Sequence, residues 1–323
     1  MKQLWLAGAI AFLGLFAHTA LAQDAASSYP SRQIGIVVPF GAGGGTDLVA
    51  RLIGNDLSGK WRQPVIVDNR PGAGGNIGAA AVARSAADGL TLLATPTGAV
   101  VLAPYAFDDI GYRPEDLTAV AILVSLPQIL MVPAHSPFKT LPDLLVYARA
   151  NPGKLNVGSA GKGTGQHMAG QLFMRMANVS LTDVPYRGSA QATAAVISGE
   201  IDLLFTDPAS LPQVTSGRLR ALGVTTKDRV ALLPDVPAIG EIVTGYEAAS
   251  YYGLFAPSAT PRAVQDKINA GVAEAFKQPE ISKQIETNGM QPLFLTAEQS
   301  QAFVQSEAQK WGNLIKTAGI ELK

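Results

Sequence analysis

The sequence contains the same local pattern twice: an apolar strand, a glycine-rich turn that ends in threonine, and the start of a helix. In the first copy, residues 34–40 lead into Gly43-Gly44-Gly45-Thr46, and in the second, residues 155–159 lead into Gly161-Lys162-Gly163-Thr164. A strand that turns directly into a helix is the basic unit of α/β folds. Two such units in separate blocks of the chain predict two α/β lobes that face each other across a cleft.

The rest of the chain fits this division. A length of 323 residues, of which 47% are hydrophobic, is enough for about two domains. Apolar runs alternate with helical patterns in both blocks, which is typical of parallel sheets. The predicted strands are residues 34–40, 64–68, 90–94, 129–132, 155–159, 201–205 and 220–224, and the predicted helices are residues 47–57, 76–86, 141–150, 165–177 and 190–198. The C-terminal third is predicted to be helical, with Thr296-x-x-Gln299 as a capping box.

The two glycine-rich turns have the composition of an anion site. The first N–H groups of a helix have no acceptor within the helix, and the peptide dipoles add a partial positive charge there. Glycine lets the backbone approach an anion, and Thr46 or Thr164 can cap its helix or turn its hydroxyl to a ligand. Asp47 would repel an anion, so its carboxylate is expected to point aside or to bind through water. The alternative, that both turns are only tight corners, stays open.

The N-terminus is typical of an exported protein. Lys2 precedes an apolar stretch at residues 4–16, and Ala20-Leu21-Ala22 resembles a small-residue cleavage site. Cleavage after Ala22 would make Gln23 the first mature residue, and a membrane anchor is the alternative. The sequence has no cysteine, so it lacks the residue that is acylated in a lipoprotein. The periplasm is therefore the expected location.

Composition and motif spacing exclude several functions. The formal net charge is zero, unlike the charge of a typical nucleic-acid binder. Without cysteine the chain has neither a disulfide framework nor a thiolate metal site, and we expect neither a metal nor a cofactor. The glycine spacing around Gly161 and Lys162 fits neither a Walker loop nor a dinucleotide fingerprint.

A periplasmic hydrolase or transferase is the enzymatic alternative. Residues 158–161 resemble a nucleophile elbow around Ser159, although Val157 stands where that motif has its first glycine. His167, near the start of a predicted helix, is the candidate general base, but the sequence offers no evident orienting partner. These features favour a binding protein over an enzyme and predict no catalytic residue.

Several segments, in their order along the chain, resemble one family. They are residues 39–47, 69–79, 158–164, 184–188, 219–222, 233–237 and 253–257, which read PFGAGGGTD, NRPGAGGNIGA, GSAGKGT, VPYRG, LRAL, LPDVP and GLFAP. Over about residues 30–320 the chain resembles the Bug receptors, the extracytoplasmic solute-binding proteins of tripartite tricarboxylate transporters. The resemblance implies a type II periplasmic-binding-protein fold, in which two α/β lobes are joined by two crossing strands and the ligand lies in the cleft. It also implies a small carboxylate ligand (a di- or tricarboxylate, an acidic amino acid or an aromatic carboxylate) held largely by backbone amides.

The resemblance also places ligand contacts in both lobes. The implied contacts are Phe40, Gly44, Gly45, Thr46, Asp47, Thr95, Thr97, Ser159, Gly163, Thr164, Tyr186, Asp207 and Tyr251. Asp207 is expected to accept a hydrogen bond from a ligand hydroxyl or ammonium, with a turn-forming role before Pro208 as the alternative. The family commonly has Trp at the position of Tyr251, so a more polar far wall is expected here.

The same resemblance suggests how the chain is divided and what it contacts. We expect a signal peptide at residues 1–22, a first lobe of residues 23–125 and 249–323, and a second lobe of residues 126–248. The crossings are expected near residues 120–125 and 246–253. The expected partners are the ligand and either membrane transporter subunits or the ectodomain of a sensor kinase, with the receptor itself a monomer that binds no nucleic acid. A non-transport interaction protein that kept the fold is a further alternative.

Overall fold

The computed structural model describes residues 28–230 and 232–318. The strands are β1 Ile34–Val38, β2 Val65–Asn69, β3 Thr91–Pro96, β4 Leu117–Leu126, β5 Ile129–Pro133, β6 Asn156–Ser159, β7 Thr182–Pro185, β8 Leu203–Thr206, β9 Leu219–Val224, β10 Ser250–Pro257 and β11 Gln291–Pro292. Every strand predicted from the sequence is present, with ends that differ by one or two residues. The proposed signal peptide and its cleavage site lie outside the described residues.

The helices alternate with these strands. They are α1 Gly45–Trp61, α2 Asn76–Ala83, α3 Thr97–Val101, α4 Ala103–Ala106, α5 Leu141–Ala150, α6 Gly165–Ala177, α7 Ser189–Ser198, α8 Leu211–Thr215, α9 Arg262–Phe276, α10 Pro279–Thr287 and α11 Ala297–Ala318. Helices α5 and α6 have the predicted bounds. The predicted capping box is confirmed, because the Thr296 N–H donates to Gln299 Oε1 at 3.1 Å and the Gln299 N–H donates to Thr296 Oγ1 at 3.2 Å.

The strands form two separate sheets. The first has the order β11-β4-β10-β3-β1-β2, and the second has the order β7-β6-β8-β5-β9. Strand β1 is parallel to β2 and β3, and β6 is parallel to β7 and β8. We call the first sheet and its helices lobe I, and the second sheet and its helices lobe II. The predicted mixed α/β fold with two lobes is confirmed.

Two strands carry the chain between the lobes. Strand β4 of lobe I is followed after two residues by β5 of lobe II, and β10 brings the chain back to pair antiparallel with β4. Leu126 pairs with Ser250 at this junction. Backbone hydrogen bonds then tie Thr225 to the crossing, because its N–H donates to Gln128 at 2.9 Å and its carbonyl accepts from Ala248 at 2.8 Å. The chain thus passes between the sheets at residues 127–128 and 225–249, close to the segments expected from the sequence, and we call this junction the hinge.

Apolar side chains bury both sheets under their helices and also join the lobes. Strand β1 is almost wholly buried, as expected for a central parallel strand. Val101 and Leu102 of lobe I belong to the same buried apolar cluster as Met168 and Phe173 of lobe II, and Trp311 of α11 is part of it. Within the described residues, none of the helices is both long and apolar enough to cross a membrane.

Candidate functional site

A narrow cavity lies between the lobes. It sits at the carboxyl ends of β1, β3, β6 and β8, the edge of open α/β sheets at which ligands bind. Its lining residues are Phe40, Gly41, Gly44, Gly45, Thr46, Asp47, Pro96, Gln128, Ala160, Gly165, Gln166, Ser189, Asp207, Ser250 and Tyr252. Both lobes and the hinge therefore contribute to one site.

Lobe I contributes the start of α1. Gly44 is the N-cap residue, with φ −84° and ψ 168°, and no side chain caps the helix. The first helical bond runs from the Leu48 N–H to the Gly44 carbonyl at 3.0 Å. The amides of Gly45 and Thr46 therefore have no acceptor within the helix and lie on the cavity wall, where a positive helix end favours an anion.

The carboxylate of Asp47 is engaged inside the protein. It accepts hydrogen bonds from the Gly43 N–H at 3.1 Å and from Asn69 at 2.9 Å, and it pairs with Arg51 at 2.9 Å. Burial alone would raise the pKa of Asp47, but these hydrogen bonds outweigh it and hold the pKa below its usual value. The expectation that this carboxylate points aside is confirmed, and its contacts tie the glycine-rich turn to the helix.

Lobe II contributes the start of α6. Thr164 caps this helix by accepting from the His167 N–H at 3.2 Å and donates its own hydroxyl to Gly161 at 2.7 Å. The Gly163 N–H donates to His167 Nδ1 at 3.3 Å, and a Cβ at Gly163 would meet Ala106 and Phe107 at 3.0 Å. Gly163 and Thr164 thus support the turn, and the cavity wall is formed by the next residues, Gly165 and Gln166.

Asp207 brings a second carboxylate into the cavity. Its Oδ2 accepts from the Ser189 hydroxyl at 2.6 Å, and its Oδ1 accepts from the Ala209 N–H at 3.0 Å. Burial raises the pKa of Asp207, against the lowering effect of hydrogen bonds from Ser189, Ala209, Tyr252 and Gly45. Because Gly45 and Tyr252 belong to lobe I, the carboxylate of Asp207 links the two lobes and lies at the start of α1.

Tyr252 lines the cavity, whereas the adjacent Tyr251 does not. Successive side chains on a strand point to opposite faces, so Tyr251 lies outside the cavity and packs edge-on against Phe303 with ring centroids 4.7 Å apart. The Tyr252 hydroxyl hydrogen-bonds with Thr46 and Asp207, and burial raises the pKa of Tyr252 well above its usual value. The predicted far wall at Tyr251 is therefore corrected to Tyr252.

The remaining predicted residues lie around this cavity rather than on its wall. Thr95 and Ser159 are buried, and within the described part of the chain their hydroxyls have no hydrogen-bond partner. Their neighbours Pro96 and Ala160 line the cavity. Tyr186 borders a separate small pocket and donates its hydroxyl to Glu200 at 2.8 Å. Thr97 begins α3, and its side chain lies outside what the structure describes.

Several lining residues escaped the sequence analysis. They are Gly41, Pro96, Gln128, Ala160, Gln166, Ser189, Ser250 and Tyr252. Gln166 follows the predicted turn directly, so the start of the helix itself was the signal. Gln128 and Ser250 lie at the crossings, where the hinge predicted by the resemblance would have pointed to them. Ser189 and Tyr252 had no signal of their own in the sequence.

The contacts of His167 leave no base for a nucleophilic serine. Its Nδ1 accepts from Gly163, and its Nε2 lies 3.2 Å from Asp183 Oδ2 and 3.3 Å from Gln171. Both ring nitrogens are engaged with these groups, so the ring serves the turn and not Ser159. Among the residues that the structure describes, no cluster of His, Asp or Glu could hold a metal ion.

The lobes touch on either side of the cavity. The Gly41 N–H of lobe I donates to the Arg187 carbonyl of lobe II at 3.5 Å. A Cβ at Gly74 of lobe I would overlap the Lys162 carbonyl oxygen of lobe II, and one at Gly98 would lie 3.1 Å from the Gly165 nitrogen. The cleft is therefore closed, with backbone packed against backbone at its mouth.

Comparisons with known proteins agree with this architecture. The family model described as tripartite tricarboxylate transporter family receptor matches residues 49–320. A protein encoded in the tcbD-tcbE intergenic region of Pseudomonas sp. strain P51 is 39% identical over 292 residues, which cover 89% of this chain and 87% of that protein. BugT of Bordetella pertussis strain Tohama I is 32% identical over 322 residues, which cover 97% of this chain and 98% of BugT.

Solved structures match over nearly the whole chain. The periplasmic binding protein BugD is 32% identical with a TM-score of 0.86, covering 91% of this chain and 99% of BugD. R. palustris Rpa4515, solved with adipate, is 35% identical with a TM-score of 0.87, covering 91% of this chain and 99% of that one. MatC from Rhodopseudomonas palustris, solved with bound malate, is 32% identical with a TM-score of 0.84, covering 89% of this chain and all 100% of MatC.

The matched family and the structural neighbours are solute-binding proteins and not enzymes. The expectation of a binding protein is confirmed on this ground. The chain belongs to the tripartite tricarboxylate transporter receptor family, that is, to the Bug solute-binding proteins.

Proposed function

We propose that this protein is a periplasmic receptor that captures a small organic carboxylate in the cavity between its lobes. The observation that carries the proposal is that α1 of lobe I and α6 of lobe II both begin on the wall of one cavity. Each helix start offers amides without intrahelical acceptors together with the positive end of a helix dipole. A single carboxylate bound there would contact both lobes.

The structure already contains a carboxylate in a comparable position. Asp207 reaches from lobe II to the amide of Gly45 at the start of α1. The relatives solved with adipate and malate indicate the same class of ligand. Hydrogen bonds to a charged group contribute roughly 1.5–3 kcal/mol each, against an association cost of at least about 4 kcal/mol. The free amides of the two helix starts can therefore offset much of the association cost of a small ligand.

We propose that the ligand's carboxylate binds the amides of Thr46 and Gly165, beside the Gly45 amide that donates to Asp207, with Gly44 leaving space next to them. Phe40 would form an apolar wall, Asp47 would brace the turn, and Asp207 would accept from a donor on the ligand. Gly163 and Thr164 would act through the turn that they stabilise. The hydroxyls of Thr95 and Ser159 have no partner within the described residues and would reach the ligand directly or through water.

We propose that the lobes are residues 23–125 with 249–323 and residues 126–248, and that they close on the ligand about the hinge. A ligand that touches both lobes favours the closed state by its differential affinity for it. The signal peptide would direct export and be removed by cleavage after Ala22. The mature protein would then be a monomer in the periplasm. The family match favours delivery to membrane subunits of a tripartite transporter over a sensor kinase.

Calorimetry on acid and methyl-ester pairs tests this function. Esterifying the bound carboxylate removes its charge and leaves helix-start amides poorly satisfied, so we expect the affinity to fall by at least about a hundredfold. Product analysis of the same incubations checks that the ester is not hydrolysed. An ester that binds within a few-fold of its acid would contradict capture by the helix starts.

A further inference from the structure

A buried glutamine amide lies at the hinge end of the cavity. Gln128 stands between β4 and β5, lines the cavity with Ser250 and Tyr252, and is 2% exposed. Within the described residues its Oε1 atom has no hydrogen-bond partner. Gln128 is therefore a buried polar side chain on the ligand side of the hinge with an unused acceptor.

The backbone of Gln128 is fixed in place. Its N–H donates to Thr225 Oγ1 at 2.8 Å, and its carbonyl accepts from the Thr225 N–H at 2.9 Å. These two bonds hold the residue at the junction of the lobes. A side chain on such a backbone can hydrogen-bond to a ligand at a low entropic cost, because the backbone is already ordered.

An unsatisfied buried acceptor destabilises the site that contains it. Leaving such a group unpaired costs more than a hydrogen bond gains, and native proteins pair nearly all of them. A ligand that presents a donor to Oε1 satisfies the group, whereas a ligand without one leaves it unpaired. Sites built to bind a substrate hydroxyl reject the analogue without it for the same reason.

The charge of the cavity acts in the same direction. Asp207 lines the cavity at the start of α1, where the Gly45 amide donates to it, and it is buried. A neutral hydroxyl or a cationic ammonium is compatible with this carboxylate, whereas a second ligand carboxylate placed against it is repelled. A donor group on the ligand is thus favoured beside Asp207 and at Gln128 Oε1.

We propose that Gln128 is a specificity-determining residue, and that the ligand is a carboxylate that also carries a hydroxyl or ammonium group, which donates a hydrogen bond to Gln128 Oε1. The inference rests on the proposed carboxylate function and narrows its ligand class. The carboxylate binds the helix starts, and the donor group on the same small molecule faces the hinge.

The test compares ligands that differ by one group. The probes are succinate, malate and aspartate, then glutarate, 2-hydroxyglutarate and glutamate, and then propionate, lactate and alanine, measured by calorimetry on the whole mature protein. Each series consists of a plain parent acid followed by its hydroxy and amino analogues. In the series that binds, we expect the hydroxy or the amino analogue to bind more tightly than the parent acid by about tenfold or more. In Gln128→Met, which keeps the length and removes the amide, we expect this preference to fall to within about threefold, because the parent acid no longer leaves an acceptor unpaired.

Gln213→Met is the matched control. Gln213 Oε1 is also buried and lacks a partner among the described residues, but Gln213 does not line the cavity. The control is expected to keep the preference of the natural protein. If the parent acid binds as well as its hydroxy and amino analogues, or if Gln128→Met keeps the preference, the inference is overturned and the carboxylate function stands. If no carboxylate of any series binds at millimolar concentration, the proposed function itself fails.

Discussion

Two carboxylates on the wall of the same cavity differ in their electrostatic roles. Asp47 pairs with Arg51 and Asn69, which lower its pKa, whereas Asp207 is buried among neutral donors and its pKa is raised. The two pKa values differ because the Arg51 guanidinium pairs with Asp47. At Asp207, the hydrogen bonds lower the pKa by less than burial raises it. Asp47 thus stabilises the turn, while Asp207 is a buried ionisable group on the cavity wall.

The raised pKa of Asp207 predicts a pH-dependent stability. Between the ordinary value of 3.8 and the raised value, the folded state binds more protons at this site than the unfolded state, so stability falls as pH rises through that window. Asp207→Asn removes this dependence. We therefore expect the melting temperature of the variant, relative to the natural protein, to be higher at neutral pH than near pH 3.8.

Asp228→Asn is the control, because this substitution makes the same chemical change at an exposed residue. Its melting curves should follow the natural protein at every pH. Parallel pH dependences for Asp207→Asn and the natural protein would show that Asp207 has no raised pKa.

At the scale of elements, the start of α1 differs from the starts of its neighbours because no side chain of its own caps it. Helix α6 has its Thr164 cap, and α5 has a full capping box from Thr140 and Asp143, but α1 begins at Gly44 without one. An uncapped helix start on a cavity wall leaves its donors for a ligand. Glycine at the N-cap position thus leaves this helix start without a capping side chain.

Gly44→Val is expected to block this helix start. The φ of −84° suits any residue, and a Cβ there meets only the Gly41 carbonyl at 4.0 Å, so the side chain extends into open space beside the cavity. We expect carboxylate affinity to fall by about a hundredfold, equivalent to about 3 kcal/mol, as charged hydrogen bonds are lost. The melting temperature should change little.

The control lies in the same helix. A Cβ at Gly59 meets nothing within 4 Å, and Gly59 is exposed near the end of α1. Gly59→Val should therefore bind like the natural protein. Equal affinity of both variants would rule out the start of α1 as the carboxylate site. Gly163→Val is unsuitable, since its φ of +76° and its contacts with Ala106 and Phe107 would disturb the fold.

For the whole molecule, the proposed closure would depend on backbone packed against backbone where the lobes touch. Gly74 of lobe I lies against the Lys162 carbonyl of lobe II, and no side chain fits between them. The apolar cluster that contains Leu102 and Met168 adds a second contact between the lobes. The closed state is therefore sensitive to one methyl group at Gly74.

Gly74→Ala is expected to hold the lobes apart. The new Cβ would overlap Lys162, so closure becomes unfavourable, and small-angle scattering with a saturating carboxylate should give a larger radius of gyration than the natural protein. Affinity should fall, because a ligand can reach only one lobe at a time.

Gly153→Ala separates this effect from backbone strain. Gly153 has a φ of +74°, close to the +63° of Gly74, but a Cβ there meets nothing within 4 Å. Both variants pay about 1 kcal/mol or more for a left-handed alanine, and only Gly74→Ala should remain open. A closed Gly74→Ala complex with unchanged affinity would refute the closure mechanism.

The sequence by itself determined the local structure and the class of the protein. Apolar runs, glycine-rich turns and caps are local signals, so the strands, helix starts and the Thr296 capping box could be read directly. The motifs around residues 39–47 and 69–79 determined the family and hence the two-lobed fold. The paired turns also predicted two helix starts facing one cleft, because the carboxyl ends of parallel strands share one edge of a sheet.

Only the tertiary structure decided which side chains face the cavity. Whether Tyr251 or Tyr252 lines it depends on the register of β10 against β4, which neither residue encodes locally. From the sequence, Gly163 could contact the ligand or support the turn. In the structure it packs against Ala106 and Phe107 and supports the turn. Gln128 and Asp207 lie far apart in the sequence and line the same cavity because β5 and β8 pair in the second sheet. Contacts between distant segments arise from packing, and packing is decided by the whole fold.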